Sequence, residues 1–496
     1  MLAGLMRLIC QQPSPTTSRH PGESWLWQGP GNFRVVVDVG SADDFARGAA
    51  SFAPNVLILT HDDADHVGAI DSFFEAYRHP PSSAATVVPE VWAPLDWFRV
   101  LQALAGLSAS PPGSSPAEAR HQLSRPVLDQ VDDDASVEAI QGLLGLASPL
   151  RDHSIRSGAS DQVANAYPGA DAAESLELDL AEPANLPAKL VADIEQFLNI
   201  GPDNLLSDTL PAHPISEPTA RRSDERRRVR AAMPPQNRIQ QAVEAAISTN
   251  REVISKLHHD EPNDAWPDSA AEVADRVAAS AVRLALIVLR ASYVGCRFRW
   301  FDVDRATAEK LPCWPTEGRP GRATIVNAVE VEPGRLPDST RPDVALYFSV
   351  RLSIQNRRAL VTYLWPTALS AERIWVRDNQ TDGVLIWSDS TGRVAGGPPT
   401  AGVVPWRTTS IMSAPHHASK DAGHKAIWRY RPPGVKVILS SNRHRDSPDF
   451  LALPLSLRDC TMCGSRRSDT PVGADSYNWP VTEDVELRGG CATDHR

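Results

Sequence analysis

The sequence predicts a single α/β domain that is split along the chain by a helical insertion. Two observations point there: short apolar runs bounded by turn residues gather toward the two ends, and the stretch between them is almost empty of aromatic residues and patterned like helices. From the N-terminal side, FRVVVDVG (33–40), NVLILT (55–60) and TVVPEVW (86–92) each fit a strand. On the C-terminal side VALYFSV (344–350), ALVTYLW (359–365), GVLIWSD (383–389) and VKVILSS (435–441) do the same. Between Arg99 and Ala265 only Tyr167 and Phe197 interrupt a run rich in Ala, Pro, Ser and Asp, out of 13 Trp, 7 Tyr and 11 Phe in the chain. Breakers such as SASPPGSSP (108–116) and SEPTARRSDERRR (216–228) divide it, so helices joined by mobile linkers are expected there. One helix is expected over about 237–258, with Ile239, Val243, Ile247, Ile254 and Leu257 on one face. A second, over about 270–291, is apolar nearly all round. The expected division is a first half-domain over 1–100, the insertion over 101–320, a second half-domain over 321–455 and a tail over 456–496. Deleting about 110–260 is expected to leave the core folded.

Charge and composition exclude several classes. With 50 Lys+Arg against 61 Asp+Glu the net charge is -11, which argues against holding nucleic acid by bulk attraction. It leaves open an enzyme that meets a phosphodiester at one metal site. The greasiest window, Ala279 to Cys296, contains Arg283 and Arg290 and reads as a buried helix, and no uncharged run has membrane-spanning length. The N-terminus lacks the length and cleavage site of a signal peptide, and six cysteines make no disulfide framework. A soluble, cytoplasmic protein with no membrane contact is the expectation.

The chemistry is concentrated where the strand LILT ends, in His61-Asp62-Asp63-Ala64-Asp65-His66. Three carboxylates crowded together raise electrostatic energy unless a cation compensates. Histidine and carboxylate together suit Zn²⁺, Mn²⁺ or Fe, and a richer oxygen set favours Mn²⁺. The alternative is an acidic helix N-terminus with Asp65 as cap and the rest solvated, which leaves both histidines unexplained.

This run resembles the signature of the metallo-β-lactamase fold superfamily, H-x-H-x-D-H at a strand end. Its closest variant is H-x-D-x-D-H, as in the nuclease-like hydrolase domain of competence DNA-uptake channel proteins and in phosphorylcholine esterases. His61, Asp63, Asp65 and His66 fall on the four motif positions, Asp63 standing where the wider superfamily has its second histidine. Further along, GESWLW (22–27) with VVVDVG (35–40) resembles the opening hairpin, and IQNRRALVTYL (354–364) the strand that opens the second half. GVLIWSDS (383–390) resembles a strand ending in Gly-Asp, with Ser388 in the glycine slot. IMSAPHHASK (411–420) resembles the His-His-Gly-Ser element, with Ala418 in its glycine slot, and KVILSSNRHRDSP (436–448) the strand and loop that follow.

The resemblance implies an αββα β-sandwich and a two-cation hydrolase, with Zn or Mn as the ions. His61 and Asp63 would hold one ion, Asp65, His66 and His417 the other, with Asp389 between them. A metal-bound hydroxide would attack a phosphodiester, in a nuclease or a nucleotide or phosphoester hydrolase. Asp65 and His416 carry the expected catalytic roles, His416 by touching substrate or orienting its neighbour. The third histidine that relatives give the first metal has no counterpart here. His121, His153, His213, His258 and His259 all lie in the insertion. An oxygen-rich, Mn²⁺-selective, weakly filled or empty first site is the implication. The same core also lends itself to a catalytically weak interaction protein whose insertion binds a protein partner. Substrates on the first reading are phosphodiesters or other small molecules, nucleic acid included.

Two other features carry less. Cys460-Thr-Met-Cys463 with Cys491 and His495 has the ligand types of a small Cys₃His zinc site, ordinary free thiols being the equal alternative. The arginines at 221, 222, 226, 227, 228 and 230 form an interrupted basic run in a polar linker.

Overall fold

The computed structural model describes residues 7–10, 22–29, 33–78, 88–109, 184–198, 270–309, 323–333, 358–365, 383–392, 397–400, 403–419, 424–440, 447–454 and 457–460, with positions 239–241, 243, 244, 248, 352 and 394. Two sheets lie face to face. The first runs in the spatial order β1 (Arg7–Cys10), β2 (Trp25–Gln28), β3 (Arg34–Val37), β4 (Val56–Ile58), β5 (Glu90–Pro94), β6 (Arg297–Asp302) and β8 (Val329–Val331). β3 to β6 are parallel, and β1, β2 and β8 pair antiparallel. The second runs β13 (Arg458–Cys460), β12 (Lys436–Leu439), β11 (Thr409–Ser413), β10 (Gly383–Ile386), β9 (Thr362–Leu364) and β7 (Ala323–Ile325), the first four parallel.

The alternation of side chains along each strand builds the layers. Val35, Val37, Val56 and Ile58 point inward with Trp25 and Trp27, meeting Ile325, Leu364, Val384, Ile386 and Ile438 of the facing sheet. Val36 and Leu57 point outward, under helices α1 (Asp43–Ser51), α3 (Ile70–Arg78), α4 (Leu95–Ala109) and α6 (Ala270–Tyr293). On the far face Leu385, Met412, Val437 and Leu439 are covered from outside by α8 (His424–Tyr430) and α9 (Pro448–Leu451). A strand buried on both faces has no use for polar alternation, which is why 35–37 and 56–58 read as unbroken apolar runs. Helices, sheet, sheet, helices is the order of layers.

The stretch 101–320 is not helical throughout. β6 lies inside it, paired with β5 over five residues. The run Arg297-Phe-Arg-Trp-Phe alternates, and Phe298 and Trp300 stack 5.0 Å apart under the helices. Helix α5 (Ala188–Leu198) buries Leu190, Ile194 and Leu198 in the same core as α4 and α6. Residues 110–260 therefore include side chains that belong to this core. Helix α6 has nearly the expected bounds. Of the helix expected over 237–258 only fragments are described, with Ile239 and Val243 buried. The strand expected over 344–350, the basic run at 221–230, and Cys463, Cys491 and His495 lie outside the described residues, as does the side chain of Cys460. Among the described residues no helix is long and apolar enough to cross a membrane.

Candidate metal centre

Parallel strands of both sheets end at the same edge, and the polar residues of the chain collect beyond those ends. β3 leads to Asp38, β4 to Thr60 and His61, β10 to Ser388 and Asp389, β11 to His416 and His417, and β12 to Ser440. The turn before β2 adds Glu23. All except His416 are buried. The short helix α2 (Ala64–Val67) carries Asp65 and His66 of the motif and has Asp63 at its N-cap position, yet no side chain caps it. Asp65 lies inside the helix and is not its cap: its carboxylate faces His417 Nε2 at 3.3 Å, and that of Asp63 faces His61 Nε2 at 3.6 Å.

Around Asp389 the geometry is regular. Its Oδ2 lies 3.4 Å from His61 Nε2 and 3.5 Å from His416 Nε2. Its Oδ1 lies 3.4 Å from His66 Nε2 and 3.7 Å from His417 Nε2. His417 Nε2 is 3.3 Å from Asp65 Oδ2. Nε2 of His61, His66 and His417 and Oδ1 of Asp389 are buried without a hydrogen-bond partner. Four such atoms facing one another are costly in a protein interior. Two ligands each ~2.1 Å from one cation in tetrahedral geometry lie roughly 3.4 Å apart, which is the spacing seen here. The residues fit divalent cations, and His61, His66 and Asp389 place ligand atoms within 4.8 Å of one another.

The other ring nitrogens explain why Nε2 faces inward. His66 Nδ1 donates to Asp38 Oδ2 at 2.8 Å. The Thr60 hydroxyl gives its one proton to Asp38 Oδ2 at 2.7 Å, so it accepts from His61 Nδ1 at 3.0 Å. His417 Nδ1 lies 3.2 Å from Ser440 Oγ, which donates to Glu23 Oε2 at 2.8 Å. Glu23 Oε1 in turn accepts from Trp25 Nε1. Each chain ends on a buried carboxylate, fixing the tautomer and leaving the Nε2 lone pair for a cation. Glu23 also lies within ligand range of His66 and His417, but its Oε2 faces the Nδ1 side of His417 at 3.4 Å, which makes it a support for that ring.

Without cations the carboxylates draw protons onto the imidazoles. Burial and the neighbouring His66 oppose protonation of His61, yet Asp389 and Asp63 push its pKa up to about 10. Burial likewise works against His66 and His417, and Asp389 foremost raises both. Asp389 is held well below the usual carboxylate range, burial being outweighed by His416, His66 and His417. The arrangement is short of positive charge, which divalent ions supply.

Five of the six non-glycine residues with positive φ among those described sit here: Asp38, Ser388, His416, His417 and Ala418. Ser388 (φ 50°) and Ala418 (φ 63°), the two residues that the sequence places in glycine slots, hold the left-handed backbone that glycine adopts most readily.

The structure brings together His61, Asp63, Asp65, His66, Asp389, His416 and His417. Asp63, His416 and Asp65 are the partly exposed members, their side chains 32, 21 and 13 % accessible, and the other four are buried. Sequence reasoning gave no role to Glu23, Asp38, Thr60 or Ser440. Asp38, a lone carboxylate inside a valine run, carried a usable signal; Ser440 carried none. His424, likewise given no role, is buried behind His416 with ring centroids 6.0 Å apart and Nδ1 on Ser419.

A sandwich of helix, sheet, sheet and helix layers thus gathers histidines and carboxylates at its strand ends in a cradle whose ligand atoms could hold a cation. Residues 18–150 match the family model of the metallo-beta-lactamase superfamily, whose members are generally hydrolytic metalloenzymes. The match takes in the whole first motif and ends before Asp389, so the second half of the cradle stands on geometry. No curated protein and no solved structure matches the chain.

Proposed function

We propose that this protein is a metal-dependent hydrolase that holds two divalent cations and cleaves phosphodiester bonds. The observation that carries the reading is the ring of buried, unpartnered ligand atoms around Asp389, spaced as ligands of common cations are. His61, Asp63 and Asp389 Oδ2 would hold one ion; Asp65, His66, His417 and Asp389 Oδ1 would hold the other. What such cations supply is acidification of a water and neutralisation of charge on the attacked group. The protein's own residues do the rest. The Nδ1 relays fix the imidazoles, the buried strand ends exclude bulk water, and His416 stands where it can touch a substrate oxygen. Asp65, which faces His417 at 3.3 Å, would serve as a ligand to the second ion and supply a carboxylate for catalysis beside it.

The phosphodiester part is supported by the H-x-D-x-D-H pattern, similar to that of the nuclease-like domain of competence channels. Asp63 in the second position makes the first site oxygen-rich and suited to Mn²⁺. The test is turnover of bis(p-nitrophenyl) phosphate, a lactone and a thioester by protein stripped of metal and reloaded with Mn²⁺ or Zn²⁺. Mn²⁺-dependent cleavage of the phosphodiester alone is expected. Cleavage of only the lactone or thioester would refute the substrate class, and no metal dependence would refute the hydrolase reading.

A further inference from the structure

We propose that Arg283 and Arg290 of helix α6 are positioning residues that splint the metal-binding loop from outside, with Arg283 setting the first of the two cation sites. The inference rests on the two-cation hydrolase reading. Ser280, Arg283 and Arg290 stand three and seven residues apart, which places them on one face of the helix. The rest of α6 buries apolar side chains such as Val277, Leu284, Ile287 and Val288. Of the three arginines of α6, Arg276 is exposed, whereas Arg283 and Arg290 are partly or fully buried and cost desolvation unless each meets a partner.

One partner lies within the metal motif and the other in the helix that follows it. Arg283 Nη1 donates to the Asp62 carbonyl at 2.6 Å, and Ser280 Oγ donates to the Asp62 carboxylate. Arg290 pairs with Asp71 in the first turn of α3, just after the motif. Asp62 lies between His61 and Asp63, the first-site residues, and its buried side chain points away from them into the helix.

The second-site residues are anchored separately. Glu23 N donates to the Asp65 carbonyl at 2.7 Å, and Val39 N and Gly40 N donate to the His66 carbonyl at 2.9 and 3.0 Å. Asp38 holds the His66 ring. One half of the motif is therefore tied to the opening hairpin alone, while the other is tied to α6 as well, the His61 ring also reaching Asp38 through Thr60. Loss of Arg283 releases the Asp62 peptide and with it the spacing of His61 and Asp63, while Asp65 and His66 stay in place.

The experiment is chelator competition for Mn²⁺ and Zn²⁺ on the full chain, with circular dichroism and thermal unfolding of the metal-free protein alongside. Wild type is expected to bind two ions. Arg283→Met should bind one of them about 10–100-fold more weakly, the range for losing a partner that orients a ligand, with the other unchanged. Arg283→Lys should restore part of the loss, since an ammonium can donate to the Asp62 carbonyl. Unchanged binding by Arg283→Met, or equal weakening of both ions, overturns the splint and leaves the hydrolase reading intact. Failure of wild type to bind any ion overturns the hydrolase reading and the splint with it. If Arg283→Met does not fold, Ser280→Ala carries the same expectation, and unchanged first-site binding there overturns the proposal.

Discussion

Replacing Gly22 by alanine should damage the candidate metal centre although no ligand is replaced. Gly22 has φ +76°, and a Cβ added there would lie 2.2 Å from the Asp65 carbonyl oxygen, 2.7 Å from Ser41 N and 2.9 Å from Gly40 Cα. All three are backbone atoms, so no flexible side chain can give way. Ordinary contact needs about 3.4 Å, so the two backbones must separate by roughly 1 Å. Overpacking of this kind costs ~1–3 kcal/mol, and the left-handed conformation adds ~1–2 kcal/mol for alanine. The separation also strains the Glu23 N to Asp65 O hydrogen bond, worth ~1 kcal/mol. Because Asp65 and Glu23 sit on either side of that bond, a shift of ~1 Å displaces a metal ligand, which can cost ~100-fold in turnover. Gly295→Ala is the control: φ is +89° there, but nothing lies within 4 Å of the added carbon. Thermal unfolding and chelator competition should show Gly22→Ala losing several kcal/mol of stability and most of its affinity for one ion, against ~1–2 kcal/mol and unchanged affinity for Gly295→Ala. Equal effects in the two variants would refute the close-approach argument.

Asp389→Asn should abolish turnover and weaken both ions by more than the ~10–100-fold that supporting partners carry, because its two oxygens face both sites. Retention of two tightly held ions by that variant would remove Asp389 from the ligand set. Glu23→Gln keeps an acceptor for Trp25 Nε1 but turns a donor toward Ser440 and His417 Nδ1, so one ion should bind ~10–100-fold more weakly while the fold persists. Equal affinity would reduce Glu23 to a packing role. Burial pushes the Cys296 thiol up to about 12, so the reactive thiolate is scarce at neutral pH and grows as pH rises toward that value. Alkylation mapped to Cys296 should be negligible at pH 8 in folded protein, speed up about tenfold per pH unit and become fast on unfolding; free-thiol rates at pH 8 would show that it is not enclosed.

The centre was legible in the sequence to the degree that it is local. His61, Asp63, Asp65 and His66 fall within six residues after one strand, so spacing alone groups them. Asp389 and the 416–417 pair could be placed only by their order behind that motif, and the structure brings their nitrogens and oxygens to within 3.7 Å of it. The supporting carboxylates were hidden for a physical reason. Glu23 meets Ser440 across 417 positions of chain, a contact set by how the sheets pack and by nothing near either residue. β6 was lost differently: its alternation is visible in Phe298 and Trp300, but it follows a long helical region and was read as part of it.

The Nδ1 relays and the strained backbone bear on the same point. A histidine can rotate, flip or share its proton, and a pair of sites facing one carboxylate tolerates none of these. Here the rings of His61 and His66 both lead to Asp38, one through Thr60 and one directly, so a single buried carboxylate fixes two of the candidate ligands, which the proposed function assigns to different cations. Thr60 also touches Ser388 across the sandwich at 2.8 Å, beside Asp389. Asp38 and Ser388 both hold positive φ, each at a cost of order 1–3 kcal/mol. Strain of that size at these two residues is explained by what it places: Asp38 under the rings and Asp389 between them. An extended backbone at either position would turn those carboxylates away and leave the inward nitrogens with neither cation nor partner.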